Sequence, residues 1–516
     1  MEKEPILELK EICKTFTKTI ALDGVSFSLV PGEIHGLLGG NGAGKTTLMN
    51  ILYGLYRKDS GEIELKGNKI DIHGPRDAIG YGISMVHQHY LQISNYTVIE
   101  NIVLGTDIDK RYTMKLDSEA ARVTELCDRF GLQVDLNVTI DTLPIGTRQK
   151  VEILKALYRR IKILILDEPT TNLTPQEVDS LFDSLRVMVD YGMSIVFITH
   201  KLREVLSVCD RITVLREGRN VTTLERSQAS EEVLVRAMVG DQVNIESSVY
   251  FARDTQQGSE LESDAKPVLA LQSVGLISKD GIARLKDVTF QMRPGEIFGI
   301  SGVAGNGQRE LAECVTGIIP PTSGQITLNG KDVTQTTINE LLKLGITYIP
   351  EDRLHDGFLP KGSVAQNLIL GYHRQPPYSD GRFIDWKTVY QRANSLIREY
   401  NIKTTGPDAP GGNLSGGNIQ RVMIARAFSM PSSLMVAHNP TRGLDIRSMD
   451  FVYQKILERK KQTNATLLIS EDLDELLLMC DRIAVIYRGE ILGILERSQF
   501  DKYAIGRLMS GIKAEE

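Results

Sequence analysis

The chain contains 516 residues, of which 41% are hydrophobic, 24% charged and 6% aromatic, a composition typical of globular proteins rather than of disordered, collagen-like or coiled-coil chains. At roughly 100–200 residues per domain, this length predicts three or four compact parts. Sixty Lys and Arg residues against 66 Asp and Glu residues give a net charge of −6, so no overall basic excess points to nucleic acid.

The apolar segments of the sequence are too short to cross a membrane. One of the longer runs, 476–480, falls far below the ~20 residues that a span requires, and residues 1–6 lack the apolar stretch of a signal peptide. The cysteines stand far apart, without zinc-ligand spacing, at Cys13, Cys127, Cys209, Cys314 and Cys480. We therefore expect a soluble chain that is not itself a channel, in the reducing cytoplasm.

The first part of the chain begins with alternating segments typical of β-strands and continues with patterns of helical length. The segments that read as strands are 6–9, 25–29, 63–65, 161–166 and 194–199. A helical insertion is predicted around 97–160, between the third and fourth of them. This order predicts an α/β fold with a parallel core, an antiparallel β edge and a helical part.

A glycine-rich loop lies between a predicted strand, 34–38, and a helical segment, 47–52. It matches G-x-x-x-x-G-K-[ST] in the strand–loop–helix context that this motif requires. Its backbone N–H groups and the helix N-terminus would hold a phosphate, Lys45 would reach the β and γ oxygens, and Thr46 would ligate Mg²⁺. The predicted ATP-binding residues of the loop are Gly39, Gly40, Asn41, Gly42, Ala43, Gly44, Lys45, Thr46 and Thr47.

Two acidic residues follow the apolar strand 161–166. Asp167 stands where a carboxylate beside a P-loop would hold the Mg²⁺ shell, and Glu168 could polarise the attacking water. His200 directly follows the strand 194–199, in position for a γ-phosphate contact.

The chain then repeats itself over the length of a whole domain. Residues 31–40 return as 294–303, shifted by 263, and residues 209–218 return as 480–489, shifted by 271. The second copy therefore carries eight more residues between these landmarks, and we expect most of them near 371–385.

The segment between the copies has a different character. Residues 241–266 hold six acidic residues against two basic ones and show no helical or strand period, which predicts a solvated linker. We therefore predict one domain at 1–240, an acidic linker at 241–266 and a second domain at 267–516.

The order of the P-loop, Gln88, Asp167-Glu168 and His200 resembles that of an ATP-binding cassette (ABC) ATPase. The second copy adds the signature of this family, Leu414-Ser-Gly-Gly-Asn418. The resemblance covers the entire chain as two cassettes in tandem. It implies an α/β fold in which each cassette has a RecA-like P-loop core, an antiparallel β edge and a helical subdomain.

In this family two cassettes face head to tail, so that ATP lies between the P-loop of one and the signature of the other. The resemblance implies that Ser415 and the amides of Gly416 and Gly417 close over the γ-phosphate, and that Phe16 stacks on adenine. The implied cofactors are ATP and Mg²⁺. The catalytic residues that it implies are Lys45, Gln88, Glu168 and His200, and the implied Mg²⁺ ligands are Thr46, Gln88 and Asp167.

The two copies have lost different parts of the family pattern. The second copy lacks the P-loop lysine and threonine, the acidic pair, the glutamine and the histidine, whose positions hold Gln308, Arg309, His438, Asn439, Glu351 and Glu471. The first copy has instead lost the signature, which reads Leu-Pro-Ile-Gly-Thr at 143–147.

Under head-to-tail pairing these losses separate cleanly between two composite sites. The site that combines the first P-loop with Ser415 and Gly417 is complete, whereas the site that combines the second P-loop with Pro144 and Ile145 is damaged in every part. Losing a general base typically costs ~10²–10⁴ in rate. We therefore predict that the two halves of one chain pair with each other and form one hydrolytic site.

Two cassettes that close on ATP but have no membrane span must transmit this movement to another protein in order to drive transport. In transporters of this family the segment after the Q-loop glutamine, here Gln88 through Asn101, contacts a membrane subunit, and its counterpart 363–367 is retained in the second copy. The resemblance therefore implies two integral membrane permease subunits, an extracellular substrate-binding lipoprotein, and a peripheral position on the cytoplasmic side of the membrane.

An intact first half and a degenerate second half resemble the ATPases of bacterial importers for monosaccharides and for nucleosides. The stretches 350–353 and 441–443 are common to both groups, whereas 470–475 and the remnant at 143–146 favour the purine-nucleoside importers. A ribose- or galactose-type sugar importer is the alternative.

Tandem cassettes that act on ribosomes or DNA form a more distant alternative. The ribosome-acting proteins have two intact ATP sites and a long basic helical linker, whereas the linker here is acidic, which disfavours phosphate contact. The DNA-repair relatives need zinc-binding cysteines, which this sequence lacks. We therefore expect no nucleic-acid partner.

Overall fold

A computed structural model of the protein describes residues 4–17, 19–88, 90–106, 116–240, 249, 265–352 and 354–513. Most of the predicted linker therefore lies outside the described residues. Arg353 also lies outside them. The chain divides into two compact units, Met1–Ile245 and Glu246–Glu516. No helix among the described residues is long and apolar enough to cross a membrane.

The first unit contains two sheets and eight α-helices in its described part. Its strands are β1 (Leu7–Phe16), β2 (Thr19–Leu29), β3 (Ile34–Gly39), β4 (Ser60–Leu65), β5 (Asn68–Lys69), β6 (Ile83–Val86), β7 (Ile163–Asp167), β8 (Ser194–Thr199), β9 (Arg211–Arg216) and β10 (Arg219–Glu225). Its helices are α1 (Lys45–Leu52), α2 (Pro75–Gly80), α3 (Val98–Val103), α4 (Leu116–Phe130), α5 (Ile145–Tyr158), α6 (Pro175–Asp190), α7 (Leu202–Val208) and α8 (Glu231–Val239).

The larger sheet of the first unit forms the α/β core. Its strand order is β10-β9-β3-β8-β7-β6, with parallel pairing from β9 to β6 and an antiparallel β10 at the edge. Strands β3, β7 and β8 are buried along their whole length, as expected for parallel strands covered on both faces. The second sheet, β2-β1-β4-β5, is antiparallel, and helices α3, α4 and α5 pack together as a helical part. The predicted fold class is confirmed.

The second unit repeats this topology. Its strands are β11 (Leu269–Ile277), β12 (Ala283–Met292), β13 (Ile297–Ser301), β14 (Ser323–Leu328), β15 (Lys331–Asp332), β16 (Ile346–Ile349), β17 (Leu434–His438), β18 (Ala465–Ile469), β19 (Arg482–Tyr487) and β20 (Glu490–Glu496). Its helices are α9 (Gln308–Val315), α10 (Ile338–Lys343), α11 (Val364–Leu368), α12 (Trp386–Glu399), α13 (Gly416–Ser429), α14 (Ile446–Lys461), α15 (Leu473–Met479) and α16 (Lys502–Met509). The sheet orders are β12-β11-β14-β15 and β16-β17-β18-β13-β19-β20.

The extra residues of the second unit lie on both sides of Ser363. The shift of 263 residues has grown to 266 at the helix caps Thr97 and Ser363, and it is 271 at the paired positions Thr139 and Pro410. Three of the eight extra residues therefore precede Ser363. The other five lie between Ser363 and Pro410, a range that contains the expected stretch 371–385.

Candidate active site

The phosphate-binding loop connects β3 to α1, as the sequence predicts. Gly44 has φ of 100°, and a β-carbon there would lie 2.7 Å from the Ala21 carbonyl oxygen, so the loop requires glycine at this position. The Lys45 ammonium donates to the carbonyl oxygens of Gly39 at 2.7 Å and Gly40 at 3.1 Å. Burial lowers the pKa of Lys45, against the opposing charges of Glu168 and Asp167.

The carboxyl ends of neighbouring parallel strands bring the acidic residues to this loop. Asp167 is the last residue of β7, and the Thr46 hydroxyl donates to Asp167 Oδ1 at 3.5 Å. Burial, with a smaller contribution from the charge of Glu168, raises the pKa of Asp167 to about 6. Hydroxyl and carboxylate oxygens are ligands that Mg²⁺ prefers, so this pair fits the ion that the sequence predicts.

Glu168 lies at the centre of a hydrogen-bonded group of three side chains. Gln88 Nε2 donates to Glu168 Oε2 at 2.9 Å, and His200 Nδ1 lies 2.9 Å from Glu168 Oε1. Burial acts to raise the pKa of Glu168, but the hydrogen bond and charge of His200, with Lys45 and Lys201, lower it overall. The carboxylate is therefore oriented by Gln88, which follows β6, and by His200, which follows β8. The charges of His200 and of the lysines keep it ionised.

The predicted adenine-stacking residue lies at the end of β1. The Phe16 side chain is 37% exposed, and its ring meets that of Tyr56 edge-on at 5.2 Å between centroids. The Lys14 ammonium lies 5.4 Å from the Phe16 ring centroid. The exposed part of this ring is accessible to a base.

The second unit keeps the loop backbone but changes its side chains. Gly307 has φ of 111°, close to that of Gly44. Gln308 Nε2 donates to the Val303 carbonyl oxygen at 3.0 Å, at the position where Lys45 contacts Gly40. The Arg309 guanidinium pairs with Glu313 at 2.8 Å and Asp356 at 3.0 Å. The cation of the loop is thus replaced by a neutral amide, and the hydroxyl by a paired guanidinium.

The charges around the position of Glu168 are also exchanged in the second unit. Asn439 keeps the left-handed backbone of Glu168, with φ of 46° against 48°, and its amide donates to Glu351 Oε1 at 3.3 Å. The backbone N–H of Glu471 donates to the Asn439 side-chain oxygen at 3.0 Å. The donor and the acceptor have therefore changed places relative to Gln88 and Glu168, and the second unit has no carboxylate at the position of Glu168.

Sequence reasoning missed one residue of this second group. The Arg442 guanidinium pairs with Glu351 at 2.9 Å and lies 3.7 Å from Glu471. The only signal in the sequence is that the second copy has gained two acidic residues, Glu351 and Glu471, which a nearby arginine could pair with. Burial lowers the pKa of the neighbouring His438 to about 4, so this histidine is neutral where the first unit has Asp167.

The predicted signature lies at the start of α13 in the second unit. Ser415 is the N-cap of this helix and accepts a hydrogen bond from Asn418 Nδ2 at 2.8 Å. Ser415, Gly416 and Gly417 are all exposed. In the first unit the N-cap of α5 is Pro144, which offers no capping side chain, and Gly146 is buried.

Comparison with known proteins identifies the family. The ABC transporter family model matches residues 22–171 and 285–442. A glucose import ATP-binding protein of Haloferax volcanii is 39% identical over 99% of this chain and 96% of its own length. A nucleoside import ATP-binding protein of Lactococcus lactis is 37% identical and a guanosine import ATP-binding protein of Bacillus subtilis is 38% identical, each over 99% of both chains.

One solved structure extends the comparison to the fold of nearly the whole chain. The complex of an archaeal ribosomal stalk protein with an archaeal ribosome recycling factor contains a chain with a TM-score of 0.61 and 20% identity, covering 97% of this chain and 92% of that chain. At this identity the likeness shows the fold alone. The family match and the relatives together show that the chain belongs to the ABC transporter family. It is an ATP-binding ATPase built from two cassettes.

Proposed function

We propose that the first unit carries the residues that bind and hydrolyse ATP. The backbone amides of the loop 39–47 and the ammonium of Lys45 would hold the phosphates. The loop carbonyls of Gly39 and Gly40 keep Lys45 within the loop, and the exposed face of Phe16 would stack on the adenine. The left-handed glycine and the N-terminus of α1 support this assignment.

Thr46 and Asp167 would hold a Mg²⁺ ion, with Gln88 as a further oxygen ligand. The 3.5 Å separation of the Thr46 hydroxyl and Asp167 Oδ1 supports this set. When bound, the ion would neutralise charge on the phosphates. Because Asp167 has a raised pKa, its deprotonation would accompany metal binding.

Glu168 would act as the general base toward the attacking water. The single observation that carries this role is the pair of contacts from Gln88 and His200, which orient the carboxylate and keep it ionised. His200 would also contact the γ-phosphate. Asn439 has no proton-accepting carboxylate at the matching position, so the second unit would not activate water.

We propose further that each chain has one working site, completed by the signature of the second unit. Ser415 and the amides of Gly416 and Gly417 would close over the γ-phosphate. Their exposure and their place at the start of a 14-residue helix support this role. The proposal includes cassettes at 1–240 and 267–516, joined by the acidic linker 241–266.

The chain would energise the import of nucleosides from the cytoplasmic side of the membrane. The nucleoside and guanosine importers among its relatives support this substrate class, as does the similarity of residues 470–475 to nucleoside importers. The glucose importer at 39% identity favours the alternative, a monosaccharide. The partners would be two membrane permeases and an extracellular binding protein.

The substrate class is tested by ATPase stimulation in the reconstituted complex. The ATPase, its two permeases and the binding protein would be assembled in lipid nanodiscs, and ATP turnover measured with guanosine, ribose or glucose. We expect guanosine to stimulate turnover and the sugars to leave it at the basal rate. Stimulation by a sugar alone would establish the alternative.

A further inference from the structure

The two signature helices differ in what lies beside their second residue, Gly146 in α5 and Gly417 in α13. In the first unit, a β-carbon on Gly146 would lie 2.3 Å from Glu177 Oε1 and 3.1 Å from Oε2. In the second unit, a β-carbon on the matching Gly417 would meet no atom within 4 Å. A carboxylate therefore covers the start of α5, whereas the start of α13 is open.

The cavities behind the two helices also differ in volume, although only that of the first unit reaches the glycine of its signature helix. The cavity between α5 and α6, which includes Gly146 and Glu177 in its lining, has a volume of about 10 Å³. The corresponding cavity between α13 and α14, lined by Arg421 and Ser448, has a volume of about 220 Å³. Ser448 occupies the position of Glu177, 271 residues later, so a long acidic side chain has become a short neutral one.

The capping of the neighbouring helix explains where the carboxylate lies. Thr174 caps α6, and its backbone N–H and hydroxyl donate to Glu177 Oε2 at 2.8 and 3.0 Å, a capping box that fixes the glutamate. In the second unit Asp445 caps α14 and accepts from the Ser448 N–H at 2.9 Å. Each cap contains one carboxylate, that of Glu177 in α6 and that of Asp445 in α14, but only Glu177 lies beside the glycine of the signature helix.

We propose that the third residue of α6 and of α14 determines which signature helix accepts a γ-phosphate. Glu177 excludes the phosphate from the start of α5 by charge repulsion and by occupying the space beside Gly146. Ser448 leaves the start of α13 free for it. This inference rests on the proposed role of Ser415, Gly416 and Gly417 in ATP binding.

The physical basis is that a fixed anion beside a helix N-terminus weakens the attraction of that N-terminus for a second anion. The amides at the start of α13 offer partial positive charge to a phosphate. A carboxylate a few ångströms away opposes the same phosphate, and the repulsion is strong in a site from which water is excluded. The loss of one group that stabilises transferred charge costs ~10²–10³ in rate, so the addition of an opposing charge should cost a similar factor.

The test transfers the first unit's capping box to the second. The double variant D445T/S448E places Thr and Glu at the positions of Thr174 and Glu177, and D445T/S448Q supplies the same capping geometry without the charge. Steady-state ATPase is measured in the full chain assembled with its permeases. We expect D445T/S448E to lose about a hundredfold in turnover, and D445T/S448Q to stay within about fivefold of the wild type.

A further variant and a separate control keep the outcome interpretable. E177Q removes the charge in the first unit and should leave turnover unchanged, because α5 lies outside the working site. Equal turnover in the two double variants, whether high or low, would overturn the inference, because charge would then not be the determinant. Loss in S415A with full activity in D445T/S448E would refute the inference alone, whereas full activity in S415A would refute the proposed function.

Discussion

Replacing Glu168 with glutamine tests the general base in the first unit. Both carboxylate oxygens are engaged, by Gln88 Nε2 and by His200 Nδ1, each at 2.9 Å. A glutamine preserves the shape of the site and can keep both contacts, because its oxygen can accept from Gln88 and its amide N–H can donate to His200 Nδ1 when that nitrogen is unprotonated. It cannot accept the proton from water, and the loss of a general base costs ~10²–10⁴ in rate, which corresponds to about 2.7–5.4 kcal/mol of activation free energy.

The assay compares steady-state ATP turnover with equilibrium nucleotide binding for the same variant. We expect E168Q to lose turnover by at least a hundredfold and to bind ATP as the wild type does. The matched control is Asn439→Gln, which places the same side chain at the equivalent left-handed position, φ 46°, and should leave turnover unchanged. Residual ATPase above roughly a tenth of the wild-type rate in E168Q would refute the general-base role.

Three further predictions concern charge and pH. Lys45→Ala should weaken ATP binding by more than tenfold in an equilibrium titration, whereas Gln308→Ala in the second unit should not change turnover. Because the pKa of Asp167 is about 6, Mg²⁺ affinity should fall about tenfold per pH unit below 6 and be constant above 7; a pH-independent affinity would contradict the ligand assignment. Burial raises the pKa of Glu475 to about 7, so the folded state binds an extra proton between about pH 4.3 and 7 and its stability falls as pH rises through that window. Glu475→Gln should remove this loss of up to about 4 kcal/mol, seen as a larger gain in unfolding temperature at pH 8 than at pH 5.

The phosphate-binding loop could be predicted from the sequence because its requirements are local. Glycines at left-handed positions, a buried strand before them and a helix after them occupy one continuous segment. The predicted helix 47–52 begins two residues earlier, at Lys45.

The length of strand β1 could not be predicted in the same way. The predicted segment ends at Leu9, but the strand continues to Phe16. A β-bulge between Leu9 and Ile12, with Glu11 at φ of 51°, interrupts the alternation on which the prediction depends.

The features that sequence reasoning missed depend on contacts between distant segments. Arg442 pairs with Glu351, 91 residues away, and no linear spacing relates the two. Glu177 reads in the sequence as part of an ordinary capping box. Only the packing of α6 against α5 shows that its carboxylate lies over Gly146. The second unit, where no atom lies within 4 Å of a β-carbon on Gly417, shows that this contact is specific to the first unit.

One measurement tests most directly whether a single working site is completed by the signature of the second unit. Ser415→Ala and the matched change in the first unit, Pro144→Ala, are compared for steady-state ATPase in the assembled complex. We predict that S415A lowers turnover about a hundredfold or more, while P144A retains the wild-type rate. Full activity in S415A, or an equal loss in both variants, would contradict the assignment of one composite site per chain.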